Sequence, residues 1–283
     1  EWFELSSMRW LTRIAVIGFS SLIYGQMNAP KPVLKLRLLL DRQFGSVAVM
    51  ALALGMVMYG STYVIPQFLA IISDYNAFQT GLVIFWMGIP AFLLMPVLPF
   101  MIRRIHIRIA VGVGMLLMAI SCFVSISLTA QSGGAVFTEG QLIRGVGMIL
   151  SMMFLNQATV ASVAKADAGD ASGIFNAARN LGGSFALAGL ASFQDQRIWH
   201  HSRRMEESLN ANSVSVQNHL DGLARNFGGM DGAMAMLSRT IQREAFVMTY
   251  NDVFLAMGIL TLATVPLVVF LKPLPKNTSL SMH

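Results

Sequence analysis

The sequence is poor in charge. Of its 283 residues only 12% are Asp, Glu, Lys or Arg, whereas 55% are hydrophobic. A soluble globular protein carries about 25% charged residues, so this chain lacks the polar groups needed to cover a surface in water. A soluble enzyme of two ordinary domains is therefore excluded.

Cysteine is nearly absent. The single Cys122 excludes an internal disulfide and any zinc site built from several cysteines, and its apolar surroundings favour a packed or lipid-facing thiol over a reactive one. The adjacent His200 and His201 point in different directions on a helix, so they are not expected to bind a metal. The sequence also lacks a Gly-Lys-Ser or Gly-Lys-Thr phosphate loop. We expect neither a cofactor nor a metal.

Long apolar segments take the place of charge. A helix that crosses about 30 Å of hydrocarbon needs about 20 mostly apolar residues. No segment alternates as the strands of a membrane barrel do, so the sequence predicts an all-α integral membrane protein. Seven spans are predicted, at residues 10–27, 45–72, 80–101, 107–130, 139–161, 172–193 and 250–271.

The basic residues predict the orientation. The net charge is +6, and on a membrane protein such an excess reflects Lys and Arg in cytoplasmic connections rather than binding to nucleic acid. The short connections 73–79 and 131–138 contain neither residue type. The first, third and fifth connections and the C-terminal tail are therefore predicted to be cytoplasmic, with the N-terminus outside. Their basic residues are Lys31, Lys35, Arg37, Arg42, Arg103, Arg104, Arg108, Lys165, Lys272 and Lys276.

One long connection departs from this pattern. Residues 194–249 include six Arg, yet the orientation makes them extracytoplasmic, because long segments are translocated largely regardless of charge. Their pattern is helical, with new helices predicted from Ser213 and from Asp231 and a break at Gly228-Gly229. The helix from Asp231 can continue into the last span.

Several short sequence motifs occur in a fixed order along nearly the whole chain. The most specific is Ser172-Gly173-Ile174-Phe175-Asn176-Ala177-Ala178-Arg179-Asn180-Leu181-Gly182-Gly183-Ser184. The others are Trp2-Phe3-Glu4, Leu36-Arg37-Leu38, Arg42-Gln43-Phe44, Gly60-Ser61-Thr62-Tyr63-Val64-Ile65-Pro66, Tyr75-Asn76-Ala77-Phe78-Gln79-Thr80-Gly81-Leu82, Arg144-Gly145-Val146-Gly147, and His200-His201 with Glu206-Glu207. Together they resemble the fourteen-span drug:proton antiporters of the major facilitator superfamily, the EmrB/QacA-like family.

This resemblance implies an architecture. Residues 1–43 would form a periplasmic stub, a linker transmembrane helix and a cytoplasmic loop, and residues 44–283 the C-terminal six-helix domain of two inverted three-helix repeats. It also implies a first half that precedes Glu1, in agreement with a start that has neither Met nor the basic region of a signal peptide. A periplasmic adaptor protein would contact the loop at 196–248.

One face of the sixth span carries candidate functional groups. Asn176, Arg179, Asn180 and Gly183 are spaced i, i+3, i+4 and i+7, so they share a helical face. A charge at the bilayer centre costs about 2.5–3.5 kcal/mol, and Arg179 is therefore expected to face the bundle or a cavity. A static hydrogen-bonded role, or snorkelling towards the cytoplasmic headgroups, is the alternative.

Two more helices contribute to the predicted substrate cavity. Tyr59, Tyr63 and Gln67 recur every four residues along the second span, as a stripe that lipid does not favour. The resemblance implies that this helix lines the cavity, as does the helix that bears Met152 and Asn156. Aromatic rings and Met side chains suit amphiphilic molecules, many of them cationic. Interfacial anchoring or helix packing is the alternative for each residue.

Trp86 and Arg144 are two further residues within the predicted spans. Trp86 stands where many members of the family carry Pro, and we expect it to form part of the cavity wall. Arg144, about one turn into the fifth span, is expected near the outer surface. There its guanidinium would snorkel or pair with Glu139.

The acidic residues avoid the middle of every predicted span. Proton coupling requires an intramembrane group that titrates, so we expect the proton-carrying residue in the missing first half. The expected function is part of a secondary active efflux transporter of the bacterial inner membrane, which exports amphiphilic drugs or toxic metabolites by proton antiport. A seven-span receptor-like protein is the alternative, and a membrane-embedded enzyme is not expected because the membrane faces lack paired acidic or His/Asp groups.

Overall fold

The computed structural model describes residues 6–28, 35–208, 214–226 and 229–271, and every regular element in these ranges is helical. The expectation of an all-α protein is confirmed. The stub at 1–5, Lys31 and the tail with Lys272 and Lys276 lie outside the described residues. The α-helices are α1 (Ser6–Asn28), α2 (Arg42–Ile72), α3 (Ala77–Leu94), α4 (Leu98–Arg104), α5 (Ile107–Phe123), α6 (Ala135–Ala161), α7 (Ala168–Ser208), α8 (Val214–Asn226) and α9 (Met230–Thr264), with short 3₁₀ segments at Leu36–Leu40, Lys165–Asp167 and Val265–Phe270.

Side-chain caps fix the starts of α2 and α3. The Asp41 carboxylate accepts hydrogen bonds from the backbone N–H groups of Gln43 and Phe44, at 2.8 and 3.1 Å. Asn76 and Gln79 form a reciprocal capping box, in which each side chain accepts from the other residue's backbone N–H. These bonds satisfy donors that the first turn of a helix leaves without partners.

The predicted span 80–101 is not one helix, so that prediction is wrong. Helix α3 ends at Leu94, and α4 begins at Leu98 after a turn at 95–97. Pro96 cannot donate a hydrogen bond to the preceding turn. Pro99 lies in the first turn of α4, where a missing N–H has no cost.

The predicted span 107–130 is too long, because α5 ends at Phe123 and residues 124–134 are not helical. The side-chain amide of Asn251 on α9 accepts from the Leu128 N–H and donates to the Leu128 carbonyl, both at 3.0 Å. A distant side chain thus supplies the hydrogen bonds that a continued helix would have supplied.

Helices α7 and α9 extend well beyond the predicted spans. Helix α7 has 41 residues and runs to Ser208, and α9 begins at Met230, ahead of the predicted span at 250–271. At 1.5 Å per residue α7 is about 60 Å long, twice the thickness of the hydrocarbon core. The described part of residues 194–249 therefore comprises the end of α7, helix α8 packed against α9, and the start of α9. Gly229, at φ 106°, precedes α9.

By length and composition alone, three of the described helices could cross a membrane: Arg42–Ile72, Ala77–Leu94 and the continuous Met230–Phe270. Helix α5 is apolar but has only 17 residues. Helices α1, α6 and α7 are long enough, but polar and basic side chains lower their mean hydropathy. On α6 and α7 these polar side chains include the candidate functional residues.

Helix pairing divides the bundle into two related sets, α2, α3 and α5 in the first and α6, α7 and α9 in the second. Helix α2 packs along α7, and α6 packs along α3; α5 packs against α6, and α9 against α2. If α2, α3 and α5 are exchanged with α6, α7 and α9 in that order, the α2–α7 pair becomes the α6–α3 pair, and the α5–α6 pair becomes the α9–α2 pair. This is the pairing expected of two inverted three-helix repeats.

Glycines bring two of these pairs to backbone contact. A Cβ atom on Gly55 of α2 would lie 1.9 Å from the Arg179 carbonyl oxygen, and one on Gly182 of α7 would lie 2.0 Å from a carbonyl oxygen of α2. In the related pair, a Cβ atom on Gly145 of α6 would lie 2.2 Å from the Met87 carbonyl oxygen of α3. Small residues at helix crossings matter in lipid, because no hydrophobic effect drives the helices together.

A stack of aromatic rings joins three helices within the bundle. The buried rings of Phe68 on α2 and Phe137 on α6 lie 5.4 Å apart, and Phe68 lies 5.3 Å from Tyr250 on α9, both edge-to-face. Phe254 extends the stack from Phe137 at 6.2 Å. Such ring pairs contribute about 0.5–1.5 kcal/mol beyond the burial of their area.

Residues 73–76 and 124–134 lie at one end of the bundle, which we call the outer end because the charge distribution predicts it to be extracytoplasmic. Helix α9 bonds to the chain at this end. The Arg243 guanidinium donates to the backbone carbonyls of Ile72 and Ala130, at 2.9 and 2.8 Å. These contacts join the end of α2 and the segment 124–134 to one helix.

The same helix also holds the extension of α7. The Asp252 carboxylate accepts hydrogen bonds from Arg197 at 2.7 Å and lies 2.6 Å from the imidazole Nε2 of His201. The His201 side chain is only 9% exposed. The part of α7 beyond the predicted span is therefore fixed against α9 by charged groups.

Basic connections meet at the opposite end. Lys35 pairs with Asp167, so the first and fifth connections are in contact, and the hydrogen bond and charge of Asp167 raise the pKa of the Lys35 ammonium group. Arg108 at the start of α5 donates to the Leu271 carbonyl after the last helix. Among the described residues, the first connection thus meets the fifth, and the start of α5 meets the residue that follows the last helix.

Replacement of Gly182 by Ala is expected to destabilise the bundle by about 1–3 kcal/mol, because the new methyl group would overlap the backbone of α2. Thermal unfolding can be followed with a thiol-reactive dye, since the buried Cys122 becomes reactive only when the bundle opens. The control is Gly189→Ala on the same helix, where a Cβ atom meets open space. Equal unfolding midpoints for the two variants would contradict the prediction.

Candidate substrate-binding face

Arg179 projects from α7 towards α6. Its Nη1 donates to the Met152 sulfur at 3.7 Å, and its Nε is buried without a hydrogen-bond partner among the described residues. In the described part of the chain the ion pairs involve other residues, so no carboxylate neutralises this guanidinium. The half-buried side chain therefore presents a positive charge and an unused donor inside the bundle.

Tyr59 brings α2 to the same face. Its hydroxyl donates to Oδ1 of Asn180 at 3.3 Å. A Cβ atom on Gly183 would lie 2.3 Å from the Tyr59 ring, so only glycine at this position lets the ring lie across α7. Gly183, which the spacing placed among the polar residues, thus serves the packing of Tyr59.

The stripe on α2 continues towards the outer end. Gln67 accepts a hydrogen bond from the side-chain amide of Gln194 on α7, at 3.0 Å. Tyr63, one turn before Gln67, is 42% exposed. The sequence did not single out Gln194, because the predicted span ended at 193; its position two heptads after Asn180 places it on nearly the same helical face.

Three predicted residues are less closely joined to this group. Trp86 on α3 is 41% exposed, and Asn156 on α6 is half-buried. Asn176 donates to the Ser172 carbonyl of its own helix at 3.0 Å. Within the described residues, no hydrogen bond links these three to the pairs above. Next to Asn156, the buried Oε1 of Gln157 has no partner in the described chain.

Arg144 is not at the surface, so the prediction of snorkelling or of pairing with Glu139 is wrong. The residue is 1% exposed; its Nε donates to Ser121 Oγ at 3.2 Å and its Nη1 to Gln141 Oε1 at 3.1 Å. Helix α6 begins at Ala135, which puts Arg144 more than two turns inside and against α5. The signal in the sequence was Gln141, one turn earlier on the same face.

A comparison with protein families decides which class of membrane protein this is. Residues 10–187, more than half of the chain, match the family model of the Major Facilitator Superfamily. The chain belongs to this superfamily. It is therefore a multi-pass membrane protein of a transporter superfamily, and the expectation of a transporter rather than an enzyme is confirmed. The superfamily match does not favour the alternative of a seven-span receptor.

Relatives of this superfamily member align along nearly its entire length. It is 26% identical over 276 residues to the colistin resistance protein EmrB of Acinetobacter baumannii, 24% over 279 to the multidrug export protein EmrB of Escherichia coli, and 24% over 275 to the fatty acid resistance protein FarB of Neisseria gonorrhoeae. Each alignment covers 96% of this chain and 54% of the relative. The resemblance to EmrB-like transporters is confirmed, and the chain spans about half the length of these relatives.

Replacement of Gln141 by Leu is expected to lower the free energy of unfolding by about 1–3 kcal/mol, because the buried Arg144 guanidinium loses an acceptor. Adding Arg144→Met should recover part of the loss, since the charge that required the acceptor is then gone. Thiol-dye unfolding of the two single variants and the double variant gives the coupling energy. Additive effects would show that the two side chains do not depend on each other.

Proposed function

We propose that the chain is part of a secondary active efflux transporter of a bacterial cytoplasmic (inner) membrane, which exports amphiphilic drugs or toxic metabolites by proton antiport. The observation that carries this proposal is the polar face shared by three helices of a membrane bundle, where Tyr59 bonds to Asn180 and Arg179 contacts Met152. Lipid disfavours such groups, so a polar or amphiphilic partner must cover them.

The relatives support the same class of activity. They are named for resistance to colistin, for multidrug export and for resistance to fatty acids. A fatty acid joins a polar head to an apolar tail, the combination that a polar face between apolar helices accommodates.

In this proposal residues 44–283 form one six-helix half of the transporter, and residues 1–43 form the linker segment before it. The polar face meets a first half across the substrate cavity, as in transporters built from repeats. The exposed Tyr63 and Trp86 then form cavity wall, together with Asn156 and Asn176.

Proton coupling in this proposal depends on the first half. Residues 42–72, 140–161 and 171–194 of the three face-forming helices contain no Asp or Glu, and coupling needs a titrating group within the membrane. A potential of 100 mV supplies about 2.3 kcal/mol per charge. One proton can therefore sustain about a fifty-fold substrate gradient.

Replacement of Tyr63 by Ala is expected to weaken efflux of amphiphilic dyes about fivefold, because the cavity wall loses an aromatic surface that contributes about 0.5–2 kcal/mol to binding. Dye efflux from energised cells that also supply the first half is the measurement, at matched membrane abundance. Tyr24→Ala is the control, since Tyr24 is 72% exposed on α1, which is not one of the three face-forming helices. Equal efflux by both variants would count against the cavity assignment.

We also propose that residues 196–248 contact a periplasmic adaptor protein. Helix α7 is about twice as long as the hydrocarbon core is thick, and its Trp199 is 63% exposed with the Arg203 guanidinium 5.2 Å from the ring centroid. Met230 and Met234 at the start of α9 are more than half exposed. Exposed aromatic and Met side chains on helices outside the membrane are typical of a surface that binds another protein.

Deletion of residues 202–240 is expected to abolish co-purification of the adaptor while the membrane bundle stays folded. The groups that fasten the outer end, among them Arg243, Asn251 and Asp252, all lie outside the deletion. Pulldown from membranes measures adaptor binding, and Cys122 protection from the thiol dye reports folding. Undiminished pulldown from the deleted protein would refute the adaptor contact.

A further inference from the structure

Positive charge collects at the inner end of the bundle, opposite the outer end. Helix α3 begins at the outer end and α5 ends there, so the segment between them and the start of α5 lie at the inner end. Residues 75–138 contain no Asp or Glu, and all of their basic side chains lie within residues 103–108. In the described part of the chain no ion pair involves Arg104 or Arg108. These two exposed guanidinium groups are therefore open to an anion from another molecule.

Helix α4 has two different faces. Leu98 is buried, and Met101 and Ile102, one turn later, pack against the core. On the opposite face Phe100 is 57% exposed, and the Arg104 guanidinium lies 4.9 Å from the centroid of its ring. Residues four apart share a helical face, so α4 presents an aromatic ring and a cation together to its surroundings. A guanidinium stacked on a ring keeps the N–H donors at its edge for a phosphate group.

Exposed apolar side chains directly precede this helix. Leu93 at the end of α3 is 64% exposed, and Met95 and Val97 in the turn before α4 are 67% and 44% exposed. Where basic groups lie beside apolar side chains at the end of a membrane span, the apolar groups contact acyl chains and the cations contact headgroups. The combination fits a phospholipid, which joins a phosphate to apolar chains, better than a soluble anion.

Arg108 adds a second cation at the start of α5. Its Nε donates to the Leu271 carbonyl, which holds the side chain against the residue that follows the last helix. Among the described residues this is the one hydrogen bond of the guanidinium. The N–H donors of its two Nη atoms remain for a phosphate oxygen.

We propose that Phe100, Arg104 and Arg108 form a surface that binds anionic phospholipids of the adjoining leaflet, with α4 at the level of the headgroups. The two guanidinium groups bind the phosphate, and the ring and the apolar side chains before α4 contact the acyl chains. A zwitterionic headgroup brings its own cation to a segment without an acidic residue, so a lipid with net negative charge is preferred. The proposal requires only that the chain lies in a membrane, and it goes beyond the efflux function.

Phosphatidylglycerol and phosphatidylcholine with identical acyl chains test this inference. The chain is purified in detergent together with the first half of the transporter, and the binding of each lipid is titrated by native mass spectrometry. Phosphatidylglycerol is expected to bind about twentyfold more tightly, since each Arg near the headgroups contributes about fivefold. Arg104→Gln and Arg108→Gln should each reduce this preference about fivefold. Arg104→Lys, which retains the charge, should keep most of it.

The matched control is Arg204→Gln, which removes one positive charge from the exposed outer part of α7 and should leave the preference unchanged. Equal affinity of the unaltered protein for the two lipids would overturn the proposal. A preference that survives in both Arg104→Gln and Arg108→Gln, or that falls as far in Arg204→Gln, would also overturn it. Glycerophosphoglycerol, the headgroup without acyl chains, should not displace the lipid at equal concentration. Displacement would assign the surface to a soluble anion instead.

Discussion

The contact between the backbones of α2 and α7 is the constraint on which the rest of the bundle depends. At Gly55 and Gly182 the two helices lie closer than any side chain would permit. The same crossing places Asn180 next to Tyr59 and directs Arg179 at α6. In lipid the fit of such a crossing, rather than burial of apolar surface, holds helices together. The geometry of the polar face therefore depends on glycine, which has no side chain, at positions 55 and 182.

An arginine lies at each of the two related crossings, α3 with α6 and α2 with α7, but the two side chains differ in burial. Arg144 precedes Gly145, the glycine of that crossing, and its guanidinium is enclosed with Ser121 and Gln141. Arg179, whose carbonyl meets Gly55, is only half-buried; its Nε, like Nη2 of Arg144, is buried without a hydrogen-bond partner among the described residues. One arginine is thus enclosed as a link between helices, and the side chain of the other is partly exposed.

The sequence was sufficient for the features that depend on local periodicity. Apolar length predicted the helices, and the spacing of Asn176, Arg179, Asn180 and Gly183 at i, i+3, i+4 and i+7 predicted a common face. Features set by distant partners could not be read in this way. The early end of α5 depends on Asn251, more than 120 residues from Leu128. The burial of Arg144 depends on which helix packs against it. Pro96 predicts a bend in the helix, but a proline residue alone does not distinguish a kinked helix from two separate helices.

The length of α7 gives the polar face a mechanical link to the outside. About 29 residues of unbroken helix separate Arg179 from the end at Ser208, a lever arm of about 43 Å. A tilt of about 10° around the Gly55 contact would therefore displace that end by about 8 Å. Because the arm carries Arg197 and His201, such a tilt also pulls on Asp252 of α9. A ligand at the face and a partner at the end of α7 would then act on the same helix.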